Sequence, residues 1–176
     1  MKRFTYLIVL FTIAGGLLYG LSDTASHDVT LQVNEIALID LNSTASITLT
    51  TNPPAAGGED PVGDSDSSKL LQYTSLVATG TTRSISVQWG ALDTAPAGTS
   101  LLLEAVSVPL NCGSAAGQIT ISSVAQNLIT NIESCATGIG ANGASLTYTF
   151  SVDDVNSLVV GDTQTVTVTF TLTDSS

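Results

Sequence analysis

Short stretches of alternating apolar and polar residues recur along this chain, separated by Gly, Pro, Asn, Asp and Ser. A period of two places every second side chain on one face of a pleated strand, whereas a helix needs apolar residues three and four apart. Beyond the first twenty or so residues no helical period is sustained. The pattern predicts strands over Val29–Ile36, Ala45–Thr51, Leu70–Val77, Ser84–Trp89, Leu101–Val108, Gln118–Ser122, Leu146–Val152 and Thr165–Thr173. Three of these carry an explicit apolar face: Ile85, Val87 and Trp89; Leu146, Tyr148, Phe150 and Val152; and Val166, Val168, Phe170 and Leu172. About seven to nine such strands predict an all-β fold, a two-sheet immunoglobulin-like β-sandwich.

Finer features follow from the same pattern. Val29, Leu31 and Val33 share one phase while Ile36 and Leu38 take the other, so a bulge or a change of sheet is expected at Asn34 and Glu35. The run Leu101-Leu102-Leu103 suits a strand covered on both faces, and residues 125–132 fit either a helical turn or a strand. Residues 51–68 hold three prolines and four acids and read as a mobile surface loop.

The chain opens with Lys2 and Arg3, an apolar run from Phe4 to about Leu21 and then small residues, the three-part pattern of a secretory signal peptide. The expected organisation is a signal peptide at 1–26 and one sandwich domain at 27–176, exported to the extracellular space or cell surface. An uncleaved anchor is the competing reading of the apolar run. No cysteine follows that run to carry a lipid, and no glycine-glutamate leader of the type IV pilins is present.

Charge narrows the partners. The full chain carries a net charge of −11. After cleavage near His27 only Lys69 and Arg83 oppose the acids, and a field of that sign disfavours nucleic acid and anionic lipid. Cys112 and Cys135 are the only cysteines, and an even pair in an exported chain reads as a disulfide.

Candidate chemistry is sparse. Gly138-Ile139-Gly140-Ala141-Asn142-Gly143 matches a dinucleotide fingerprint in letters, but a strand follows it where the fingerprint needs a helix N-terminus, so a glycine-rich loop is expected. His27 is the only histidine, which leaves no base for a hydrolytic triad and no second ligand for a copper brace. Glu35, Glu104, Glu133, Asp153 and Asp154 supply carboxylates for glycosidase chemistry, but Asp153 and Asp154 read as a turn entry. No catalytic set, cofactor or resident metal is expected. The acids of residues 59–66 offer oxygen ligands without EF-hand spacing, against the reading of a solvated loop. Asp93-Thr94-Ala95 fits a three-residue acceptor pattern for O-glycosylation at Thr94, which makes a glycan a candidate partner. Asn42-Ser43-Thr44 is an N-glycosylation sequon. After the leader the aromatics are Tyr73, Trp89, Tyr148, Phe150 and Phe170, few enough to leave little for stacking on a sugar.

The segments "HDVTLQVNEIALIDL", "LLQYTSL", "LITNIESCATGIGANGASLTYTFSV" and "VGDTQTVTVTFTLTD" resemble a family of small, functionally uncharacterised exported Bacteroidota proteins. That resemblance implies export and fold. The two ends also resemble archaic chaperone-usher and spore-coat-U pilins, which implies an alternating N-terminal segment, here Val29, Leu31 and Val33, donated to a neighbour's sheet. The expected role is an extracellular structural subunit of a fibre, pilus-like filament or surface layer, polymerising with itself and not acting as an enzyme. The alternative is a monomeric secreted adhesion or carbohydrate/protein-binding module.

Overall fold

The computed structural model describes residues 23–175. Residues up to Gln32 form one unit and Val33 onward a second. The predicted leader falls outside the described residues except for 23–26, and residues 23–32 form no strand. Among the described residues no helix is long and apolar enough to cross a membrane.

The second unit is a two-sheet β-sandwich. Its strands are β1 (Ile36–Leu41), β2 (Thr51–Asn52), β3 (Val62–Gly63), β4 (Ser65–Leu76), β5 (Arg83–Trp89), β6 (Thr99–Ser107), β7 (Ser114–Ala115), β8 (Ile119–Thr120), β9 (Gln126–Ile132), β10 (Cys135–Ala136), β11 (Ala144–Val152) and β12 (Val168–Asp174). The larger sheet has the order β1-β4-β11-β6-β8, with β10 also on β4, and the smaller has the order β12-β5-β9-β7. Pairing is antiparallel throughout. The long strands β4, β5, β6, β9, β11 and β12 fall alternately in the two sheets, so every connection between them crosses the core.

The core is built from the alternation read in the sequence. Leu71 and Tyr73 of β4, Ile85 and Val87 of β5, Leu103 and Ala105 of β6, and Leu146 and Tyr148 of β11 turn inward and are buried with Leu128, Ile129 and Ile132 of β9. Burying such side chains contributes roughly 1.5–3 kcal/mol each, the main term holding two sheets together. Residues 125–132, open in the sequence, resolve as β9.

Strand registers assign each loop to an end of the sandwich. Leu76 faces Ile36, Ile132 faces Arg83 and Asp174 faces Arg83, so these positions share one end, here the Arg83 end. Val168 faces Trp89, Val152 faces Thr99 and Gln126 faces Val87, which gathers residues 90–98, 122–125 and 153–167 at the other. The β2–β3 hairpin belongs there too, because Gly63 lies against the Phe150 carbonyl and Phe150 N–H donates to Asp64 O at 2.9 Å. This is the hairpin end.

Several expectations change. The strand expected over Val29–Ile36 does not form: residues 29–35 are in no strand, and β1 starts at Ile36, just past Asn34 and Glu35, where the alternation was expected to break. In β1 the half-buried residues are Ile39 and Leu41, while Ile36 and Leu38 are exposed, so Ile36 and Leu38 do not form its inward face. Ala45–Thr51 forms a ladder only from Thr51 on, although Ile47 and Leu49 pack against the core. In residues 51–68, β2, β3 and the start of β4 replace much of the expected loop. Leu101 and Leu102 are half-buried and only Leu103 is fully enclosed, so the expected two-sided cover is partial.

Candidate functional site

The two flanks of the sandwich are closed differently. On one flank the segment from β7 to β8 passes from the smaller sheet to the larger and bridges them. Cys112, just before it, bonds to Cys135 across 5.5 Å between Cα atoms, with both cysteines engaged as expected. Gly113 permits this path: its φ is +109°, and a Cβ there would lie 2.7 Å from Thr130 O.

On the other flank β1 ends the larger sheet and β12 the smaller, and no strand among the described residues joins them. Ile39, Leu41, Val168, Phe170 and Leu172 are inward in register yet only half-buried. A groove of about 270 Å³ lies between these edges, with Leu71 among its lining and Asp40, Thr44 and Thr169 as its polar members. The closing strand therefore has one edge paired to β5, while its Val/Phe face is only half covered.

The strand-free segment before β1 carries complementary chemistry. Val29, Leu31 and Val33 are 67, 90 and 87% exposed, a degree of exposure that large apolar side chains in alternation do not normally keep. Between them stand Thr30 and Gln32, without a charge.

The start of β1 is held by Arg83. This residue is in phase with Ile85 and Val87, so the alternation that builds the core turns it inward, and it is only 4% exposed. Its guanidinium donates to Glu35 at 2.5 Å and to Asp174 at 2.9 Å, and also to Ile36 O, Leu76 O at 3.3 Å and Ser75 Oγ at 3.4 Å. One cation thus ties the entry to β1, the end of β4 and the end of β12. Lys69 plays a similar part farther along β4, where it is in phase with Leu71 and Tyr73, is buried, and donates to Ser43 O and Ala45 O. Both basic residues of the described chain are therefore enclosed, and its exposed charge is acidic.

The remaining sequence candidates sit apart from this groove. The loop Gly138–Gly143 connects β10 to β11, with positive φ at Gly138, Gly140 and Gly143; Gln72 donates to Gly140 O at 3.0 Å and Asn142 O at 2.8 Å, and no helix follows. In the acidic loop Glu59 accepts from Ala56 N, Asp64 from Ser65 N, and Asp66 from both the amide and hydroxyl of Ser68, which hold its carboxyl below the usual range. Among the described residues no three His, Cys, Asp or Glu side chains converge on a metal-sized space. Asp154 accepts from Ser157 Oγ, Asn156 N and Asn156 Nδ2, which also lowers its pKa, and starts the 3-10 turn Val155–Ser157. Asp153 and Asp154 thus form the turn entry expected of them.

Thr94 is exposed in the loop 90–98, beside Asp93, whose Oδ2 accepts from Gly90 N at 3.0 Å and Thr167 N at 2.9 Å. Asn42 is engaged on both sides of its amide, donating to Ser68 O at 3.2 Å and accepting from Leu70 N at 2.8 Å. His27 is exposed. Tyr73 and Tyr148 are buried, and Trp89, Phe150 and Phe170 are half-buried, so none of the described aromatics presents an exposed platform. Tyr73 donates to Cys112 O at 2.5 Å, and burial pushes its pKa up to about 12.

No family model, no curated protein and no solved structure matches this chain in the comparisons with known proteins.

Proposed function

We propose that the protein is an extracellular structural subunit that associates with itself into a fibre, pilus-like filament or surface layer, and that Val29–Val33 of one copy completes the open flank of another. In this reading it is not an enzyme and needs no cofactor. The observation that carries it is the pairing of two incomplete surfaces in one chain: exposed apolar residues at 29, 31 and 33, and a groove between β1 and β12 whose apolar residues are half covered. Five residues of strand span about 17 Å, and seven residues of β12 offer an edge of sufficient length. Enclosing the three side chains would contribute roughly 1.5–3 kcal/mol each, and the uncharged run avoids placing another carboxylate beside Asp40.

Closure by the same chain is less favourable. The chain would have to reverse over Asn34 and Glu35, and a two-residue reversal between paired strands asks for positive φ at the first position or at both, where glycine is favoured. Arg83 meanwhile holds the Glu35 carboxylate and the Ile36 carbonyl.

The test is removal of residues 27–33 from the secreted protein, leaving Glu35 and its bond to Arg83 in place. Light scattering across a concentration series should show large species for the parent chain and monomer for the shortened one, with unchanged thermal unfolding. A parent chain that stays monomeric would refute the proposal and favour a secreted binding module.

A further inference from the structure

The glycine-rich loop between β10 and β11 bulges out from one edge of β4. Cys135 and Ala136 of β10 face Ser75 and Thr74, Thr137 N–H donates to Tyr73 O at 3.0 Å, and β11 resumes on the same edge where Ala144 faces Leu71. Residues 138–143 therefore leave that edge and return to it beside Gln72, whose side-chain amide donates to Gly140 O at 3.0 Å and Asn142 O at 2.8 Å. Ile139 O accepts from Asn142 N–H at 3.3 Å and from Asn142 Nδ2 at 3.1 Å, which closes a tight turn. Asn142 is exposed, and Gly143 follows it with a φ of +141°. A Cβ at 143 would lie 2.8 Å from Leu71 O, so the return to the sheet requires glycine there.

That requirement sets up a reaction. Asparagine is a chemically labile side chain, because its amide carbon can be attacked by the backbone nitrogen of the next residue. A side chain on that next residue hinders the ring closure, and glycine has none. A hydrogen bond on the attacking nitrogen hinders it too. The other asparagines each meet an obstacle. Cys112 N–H, after Asn111, donates to Pro109 O at 3.0 Å, and Ser157 N–H, after Asn156, donates to Asp154 O at 3.2 Å. Asn127 and Asn131 lie within β9 ahead of the buried Leu128 and Ile132. Asn52 precedes Pro53, which has no N–H. Asn42 is engaged on both sides of its amide, and Asn34 precedes Glu35, whose side chain is fixed by Arg83. Asn142 is the one asparagine followed by glycine, and Gly143 N–H, one residue before β11, enters no backbone bond among the described residues.

We propose that Asn142 is a covalent modification site, the residue at which the folded protein first loses a side-chain amide. The Gly143 nitrogen gives its proton to solvent base and attacks Asn142 Cγ. The Nδ2 amide leaves as ammonia, and a cyclic succinimide remains. Water opens that ring at either carbonyl, yielding aspartate or isoaspartate, so water is consumed and ammonia released with no change of oxidation state. Both products add a carboxylate to a chain of net charge −11. Isoaspartate also redirects the backbone through the former side chain, and the carbonyl that Gln72 grips becomes a free carboxylate.

The full secreted chain, kept folded in mildly alkaline buffer made with water carrying heavy oxygen, tests this. Peptide mapping by mass spectrometry should show loss of ammonia and uptake of labelled oxygen at Asn142 several-fold faster than at any other asparagine, with both isoaspartate and aspartate formed. Asn142→Gln, whose longer side chain closes a ring far more slowly, should remove that label, with circular dichroism confirming that the variant is folded. A sample unfolded in urea supplies the rate without the loop. Labelling at Asn111, Asn131 or Asn156 that matches or outpaces Asn142 in the folded chain would overturn the assignment. So would an Asn142 that takes up label only after unfolding, because the Gln72 clasp would then protect it.

Discussion

Replacing Arg83 by methionine tests the joint that holds the two chain ends of the sandwich. Methionine keeps an unbranched stem of similar reach and removes the guanidinium. Ser75, 0% exposed, then loses a donor in a dry environment, and the part-buried carbonyls of Ile36 and Leu76 lose one as well, at about 1–3 kcal/mol for a group left unsatisfied and less where water reaches it. The carboxylates of Glu35 and Asp174 are 62 and 76% exposed, so they rehydrate and their ion pairs contribute at most about 1 kcal/mol each. A total loss of roughly 3 kcal/mol is expected. The paired change Glu35→Gln with Asp174→Asn leaves the guanidinium bonded to the carbonyls and opens its outer side to water, for about 1–2 kcal/mol. Urea unfolding followed by circular dichroism at neutral pH gives both values. Hydrogen exchange should show Ile36–Leu41 and the end of β12 opening first. A loss below roughly 0.5 kcal/mol for Arg83→Met, or a larger loss for the carboxylate pair, would refute the argument that backbone acceptors hold this cation.

Other consequences are open to simpler measurements. Cys112→Ser with Cys135→Ser opens a cross-link of sequence separation 23 and should lower stability by about 3 kcal/mol, read as a fall in urea midpoint under non-reducing conditions. The Tyr73 pKa is pushed up to about 12, and burial also raises that of Tyr148. The unfolded chain therefore ionises first, at about pH 10, and the stability of the protonated phenols is complete below that and is lost as pH rises toward about 12; urea midpoints that do not fall over this interval would contradict it. Because Lys69 and Arg83 are enclosed, trypsin should leave the folded sandwich intact and cut at both after unfolding, as mass spectrometry would show.

The parts of the fold that were legible in sequence are those where one face is fully covered. In β5 and β11 alternation alone placed Ile85, Val87, Leu146 and Tyr148 correctly. The same rule, applied without regard to residue type, puts Lys69 in phase with Leu71 and Arg83 in phase with Ile85; their burial could have been read from phase, but the groups that satisfy them lie at Ser43, Ala45, Glu35 and Asp174, far away along the chain. The start of β1 was not legible. Ile36 and Leu38 are apolar yet exposed, while Ile39 and Leu41 are only half covered, so an edge strand with a partly open inner face carries no clean contrast between its two sides. The groove has the same origin: its residues are ordinary core residues in sequence, and only the pairing of sheets shows that nothing among the described residues closes over them.

The most direct test of self-association is negative-stain electron microscopy of native extracellular material, with mass spectrometry identifying this chain and its first residue. The account predicts regular fibres or arrays containing a chain that begins near His27 and so retains Val29, Leu31 and Val33. Soluble monomer with that same first residue would contradict it.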